Sequence, residues 1–169
     1  MTLHILRRTI LLGLLITLAG CGFHMRGQVN LPYKTIYISG LMTVDLKAYL
    51  GRTLKTGLNS VIVTRPEEAD LLLNVTETPG KQILSYDSSG NITGYRIIEK
   101  VTISVNTRDG EELIPPSDIF LTKDMDFSIS APSAAEQLEI FLVTDMRQDI
   151  SSQILRRLGT LSNKKPIPQ

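Results

Sequence analysis

The sequence predicts an α+β fold, a two-layer sandwich in which a four-stranded, mostly antiparallel sheet carries two helices packed on one face. Three observations predict it. The elements read strand, helix, three strands joined as a meander, helix; each strand keeps its apolar residues on one parity; each helix carries a single apolar stripe. With 169 residues, 18 basic against 17 acidic side chains, 42% hydrophobic content, no Trp and one Cys, the chain has the make-up of one or two small globular domains. A net charge of +1 and an aromatic content of 5% supply neither the basic excess nor the stacking platforms of a nucleic-acid binder, so no nucleic-acid partner is expected.

Residues 1–20 read as a signal peptide. Arg7-Arg8 precede an uncharged apolar run from Thr9 to Gly20, too short for the ~20 residues a transmembrane helix needs. The run ends at Leu18-Ala19-Gly20-Cys21, which resembles the signal box of bacterial lipoproteins. Small residues there fit a peptidase cleft, and the Cys21 thiol is the nucleophile that accepts lipid. The alternative is a free Cys after an ordinary signal peptide. No second Cys exists to pair with it, and an orphan thiol is out of place in an oxidising compartment. The expected modification is an S-diacylglycerol and an N-acyl chain on Cys21, with each buried CH₂ contributing roughly 0.8 kcal/mol, so the lipid alone holds the mature protein at a membrane. Gly22 rather than Asp follows the cysteine; by resemblance to lipoprotein sorting signals this places the protein on the periplasmic side of the outer membrane.

Residues 21–34 contain Gly22, Gly27, Asn30 and Pro32 without a sustained period and read as a lipid-anchored linker. A single domain is expected over 35–162. Thr35-Ile36-Tyr37-Ile38-Ser39 alternates β-branched and aromatic residues and stops at Gly40, a first strand that is placed beside its neighbours, in parallel, by a crossover helix. In that helix Thr43 or Asp45 serves as cap, Leu46, Tyr49, Leu50, Leu54 and Leu58 fall at helical intervals, and Asn59 is the stop. Turn residues around Arg65-Pro66-Glu67-Glu68 lead into a second strand over 70–76, with Leu71, Leu73 and Val75 on one face. A break at Pro79-Gly80 is expected before it resumes over 81–86.

Asp87-Ser88-Ser89-Gly90-Asn91 is a turn. The next strand, 94–107, has Tyr95, Ile97, Glu99, Val101, Ile103 and Val105 on one parity and would run about 45 Å, long for so small a domain. Asp109-Gly110 supplies a hairpin pair. Beyond Pro115-Pro116, Ile119, Leu121, Met125, Phe127 and Ile129 alternate with polar residues as the last strand. Ser133-Ala134-Ala135-Glu136 has capping-box spacing and should open a long helix whose stripe runs from Leu138 through Ile150 and Leu158 to Leu161. Residues 163–169 form a tail.

Chemistry is sparse. His24 is the only histidine left after cleavage and Cys21 is consumed by lipid, so neither a catalytic site nor a metal site is expected, and no cofactor beyond the covalent lipid. Asp124 and Asp126 share a face but read as a solvated acidic stripe. What remains is the open sheet face, which should present Arg96 and Lys100 among Leu72, Ile98 and Phe120. Glu77, Asp124 and Asp126 are expected on the same face, diluting its positive field. A mixture of cations and apolar area suits a phosphorylated, acylated lipid or the wall of a partner.

Cys21-Gly22-Phe23-His24-Met25-Arg26-Gly27 closely resembles the mature start of the LptE family of lipopolysaccharide-assembly lipoproteins. A more diffuse likeness covers the Gly90 to Tyr95 turn, Asp109-Gly110, Asp145-Met146-Arg147 and Leu155-Arg156-Arg157-Leu158. The resemblance implies a protein that is not an enzyme. It would be lipid-anchored in the outer membrane, plug and help assemble the β-barrel LptD, and bind lipopolysaccharide for delivery to the outer leaflet. On that reading Arg96, Lys100 and Lys123 are the candidate lipid contacts. The rival is a free-standing, periplasm-facing lipoprotein that binds a small solute or pilots another envelope machine, and it calls for a deep apolar pocket between sheet and helices.

Overall fold

The computed structural model describes residues 30–128 and 130–163. The expected signal peptide, Cys21, most of the segment read as linker and residues 164–169 lie outside them. The fold is the expected α+β sandwich with one strand more: β1 (Thr35–Ser39), α1 (Val44–Gly57), β2 (Val61–Val63), β3 (Leu71–Tyr86), β4 (Ile92–Thr107), β5 (Glu112–Asp126) and α2 (Pro132–Gly159). The sheet order is β2-β1-β3-β4-β5. β1 lies parallel to both β2 and β3, and the remaining pairs are antiparallel. The extra strand, β2, is three residues long, too short to show a period, and is defined by its parallel register Thr35↔Val61 to Tyr37↔Val63.

Both helices cover one face. Leu46, Leu50 and Leu54 of α1 and Ile150, Ile154 and Leu158 of α2 close over Ile36, Ile38, Leu71, Leu73, Val101, Ile103 and Val105. Leu31 is also buried in this core, with its amide donating to Asn59 Oδ1, so the packed domain begins inside the segment read as linker. Asn59 thus binds the incoming chain beside the helix end it was expected to stop. Thr43 is the cap of α1, accepting from the Leu46 amide. Among the described residues no helix is long and apolar enough to cross a membrane.

Three local expectations need correction. β3 does not break at Pro79-Gly80, since Pro79↔Glu99 and Gly80↔Ile98 stay in register and the irregularity falls at Ile83/Ser85. The reason is positional. The Glu77 amide points away from β4, to Leu41 O, so the imide nitrogen of Pro79 faces the same unpaired edge and no ladder bond is lost. Similarly, β5 starts before Pro115-Pro116 because it is the outermost strand, and a register shift absorbs the prolines. The predicted capping box does not form either. Ala131 is the N-cap without a side-chain bond, Pro132 occupies the first turn, and Ser133 falls inside the helix, where its hydroxyl cannot cap.

The sandwich has two unlike ends. The base is where Leu31 enters, both helices finish and the Asp109-Gly110 turn lies. The tip is the β3–β4 turn together with the start of α2. Gly40 joins β1 to α1 at φ 110°, where an added Cβ would lie 2.1 Å from Val75 O. Gly40→Ala is therefore expected to lower stability by more than the ~1–3 kcal/mol of backbone strain alone. Gly51→Ala, in open space on α1, should raise it by roughly 0.5–1 kcal/mol. Urea unfolding of the two variants checks both signs.

Candidate functional site

The open sheet face is built from alternate residues of three long strands. Arg96 on β4 lies directly across from Asp124 on β5, and Lys100 lies one position diagonally from Asp118. Cross-strand geometry then makes ion pairs. Arg96 Nε and Nη2 donate to Asp124 Oδ1 and Oδ2 at 2.7 and 2.8 Å, a bidentate fork. Lys100 Nζ reaches Asp118 Oδ2 at 2.9 Å, and Thr102 Oγ1 donates to Asp118 Oδ1 at 2.6 Å. Hydrogen bonds from these neighbours, aided by their charge, hold the Asp124 and Asp118 carboxyls below the usual carboxylate range. Phe120 stands 60% exposed opposite Lys100, and Ile98 packs over Gly80 between the two cations. The face is thus a mixed strip of paired charges and apolar surface, and a phosphate arriving there has to displace an aspartate.

Sequence parity assigned two residues wrongly or incompletely. Glu77 is not on the open face; it is buried, 6% exposed, on the helix-covered side with Leu71, Leu73 and Val75. Lys123 also points to the helix side, where it pairs with Asp145 of α2 at 3.0 Å. The structure brings Arg96 and Lys100 together on one face and leaves Lys123 on the other. Asp124 was read as part of a solvated acidic stripe; in the structure both its oxygens are taken by Arg96.

A buried charge cluster was missed. Arg147 of α2 inserts between the layers, with Nε donating to Glu77 Oε1 at 3.0 Å, Nη2 at 3.8 Å from Glu99 Oε1 and Nη1 at 3.6 Å from Asp45. The other Glu77 oxygen accepts from the Thr43 amide at 2.6 Å. One carboxylate thereby ties β3, α2 and the start of α1. Burial, with the nearby Glu77 charge, pushes the Glu99 carboxyl up against the opposing pull of Arg147. Glu99 Oε2 is buried with no hydrogen-bond partner. A signal did exist: an acid in the apolar parity of β4 demands a buried partner, but nothing local names a residue on the last helix as that partner.

Two grooves lie toward the tip. One of about 420 Å³ runs past Asp45, Ile140, Val143 and Arg147, and one of about 330 Å³ is framed by Tyr95, Met125, Phe127 and Ala135. Tyr95 and Phe127 stack at 5.4 Å. Between the layers nearer the base, leucine and isoleucine side chains fill the space. Among the described residues no three His, Cys, Asp or Glu come together as a metal site would need.

A family model for lipopolysaccharide assembly, LptE, matches residues 33–158. The chain belongs to the LptE family. The LptE-family chain is similar in structure to an uncharacterised lipoprotein B of Nitrosomonas europaea, with 26% identity and a TM-score of 0.70 over 85% of this chain and 94% of that one. It shares its fold with a minor lipoprotein of Acinetobacter baumannii (23% identity, TM-score 0.63, 82% and 98% covered). The rare lipoprotein B of Shewanella oneidensis does so too (20% identity, TM-score 0.60, 75% and 95% covered). No curated protein matches. The LptE match covers the folded domain and not the Cys21 to Gly27 run that suggested the family.

Proposed function

We propose that this protein is the lipid-anchored outer-membrane subunit of a lipopolysaccharide translocon, without catalytic activity, which plugs and helps assemble the LptD β-barrel and binds lipopolysaccharide for delivery to the outer leaflet. The observation that carries it is how exposed apolar side chains are distributed. Leu41 and Val44 flank the start of α1 at the level of Glu77. Phe120 projects from the open face, Leu138, Ile140 and Phe141 from α2, and Ile83, Leu84 and Tyr86 from the hairpin. Among the described residues, Val61 is the one large exposed apolar residue that belongs to the base. Apolar groups that point outward from both faces and from the tip call for an occupant that surrounds this half, as the inside of a barrel does; a flat contact covers one side. The solute-binding alternative gains no support from open grooves at the tip.

Extraction in mild detergent is expected to bring a large barrel protein along in constant stoichiometry; recovery of the lipoprotein alone would count against the reading. Arg96 and Lys100 are the lipid contacts we favour, with Lys123 set apart on the opposite face. Arg96→Glu combined with Lys100→Glu should weaken lipopolysaccharide binding on the order of tenfold or more while the domain stays folded. Asp118→Asn with Asp124→Asn, which frees both cations, should strengthen it. Unchanged affinity in both double variants would remove the site from this face.

A further inference from the structure

Cations are divided between the two ends as sharply as apolar groups are. In the tip half every lysine and arginine is matched by a carboxylate: Lys81 with Glu139, Arg96 with Asp124, Lys100 with Asp118, Lys123 with Asp145, and Arg147 with its acids. Toward the base, Lys47, Arg52 and Lys55 line the exposed side of α1, opposite buried Leu46, Leu50 and Leu54, and Arg156 is exposed in the last turn of α2. None of these four is in an ion pair among the described residues, and Arg52 rests only on the Tyr49 ring. Against them the base half of α2 offers one exposed acid, Asp149, and the other exposed acids of this end, Glu67, Glu68, Asp109, Glu111 and Glu112, lie outside both helices.

The same end receives the anchor. Leu31 is fixed to Asn59, just past the end of α1, and the nine steps from Cys21 to Asn30 span at most about 32 Å. The tip lies farther away, because β3, 16 residues long, extends about 50 Å. The segment beyond residue 163 also leaves from the base. An acylated Cys21 therefore lets the unpaired cations, and not the tip, come down onto its own bilayer, where the surface potential fades over roughly 10 Å.

We infer that the outer face of α1, through Lys47, Arg52 and Lys55 together with Arg156, docks on the anionic phospholipid headgroups of the membrane that holds Cys21, and so directs the apolar tip, where acids outnumber cations, away from that surface. The inference rests on the anchoring of Cys21. Its occupant is a lipid surface because the face is cationic, exposed and nearly free of acids, whereas the apolar groups suited to a protein wall stand at the other end. Docking adds little to retention, which acyl chains already secure; its effect is orientation.

The test uses the acylated full chain in vesicles of phosphatidylcholine alone or doped with phosphatidylglycerol. Acylation consumes Cys21, so Gly51→Cys gives the sole thiol for a fluorescent probe on α1 at a position with open space around it, and Ser89→Cys gives one at the tip. Energy transfer to a headgroup acceptor is expected to rise at position 51 when phosphatidylglycerol is added, to fall again with salt, and to stay low at position 89. Arg52→Glu with Lys55→Glu should reduce the docked-to-undocked ratio on the order of tenfold or more. Equal transfer at position 51 in neutral and anionic vesicles, or a rise at position 89 instead, overturns the docking face. A chain that leaves both kinds of vesicle refutes the anchoring itself, an outcome distinct from either.

Discussion

Arg147→Ala is expected to destabilise the domain by about 3–5 kcal/mol, the usual consequence of removing one partner from a buried ion pair. Glu77 and Glu99 are 6% and 1% exposed, and Arg147 is the cation between them. Without it, two carboxylates face one another in the interior and the brace from α2 to the Thr43 cap of α1 is gone. The loss should depend on pH. The Glu99 carboxyl is already raised by burial and by Glu77, with Arg147 opposing. A group whose folded pKa lies above its unfolded value contributes stability below the unfolded value and loses it as pH rises through the folded one. Removing Arg147 raises Glu99 further, so the deficit should shrink as the medium becomes mildly acid, and Glu99→Gln in the Arg147→Ala background should recover a large part of it at neutral pH. Urea unfolding across pH measures this. A loss under about 1 kcal/mol that ignores pH would mean the cluster behaves like a solvent-screened surface pair.

Cys21→Ala is expected to abolish acyl labelling and release the mature protein from the membrane, an all-or-none effect. The three acyl chains expected on Cys21 exceed the two-signal requirement for stable anchoring, while the apolar side chains of the tip are scattered over several faces, and among the described residues no helix is long and apolar enough to cross a membrane. Labelling with radioactive palmitate, followed by detergent phase partition, reads both parts. A mass for the native protein showing residue 21 unmodified, or the precursor uncut, would refute the anchoring.

The alternating strands and both helical stripes were legible because each element is covered on one face only, so burial imprints its period on neighbouring residues. Leu71, Leu73 and Val75, and likewise Leu46, Leu50 and Leu54, are all buried in the structure as their spacing requires. β2 was not legible, since Val61-Ile62-Val63 is too short to alternate visibly. Pro79-Gly80 and Pro115-Pro116 looked like breaks because a proline's tolerance in a strand depends on whether its nitrogen faces a neighbour or an open edge, and strand order decides that. Of the candidate site, Arg96 and Lys100 on the open face followed from parity. Their engagement with Asp124 and Asp118 depended on the β4–β5 register, which a turn with a later bulge does not reveal.

By itself the sequence determined the fold class, the division of polar from apolar faces, the lipid-accepting place expected of Cys21 and the resemblance to LptE, because each is written in residues adjacent or evenly spaced along the chain. The tertiary structure alone decided that Arg147 meets Glu77, 70 residues away, that Lys123 turns to α2, and that free cations gather at the base while apolar side chains gather at the tip. Those properties belong to distances between segments, set by strand order and helix packing, and the linear chain carries no measure of them.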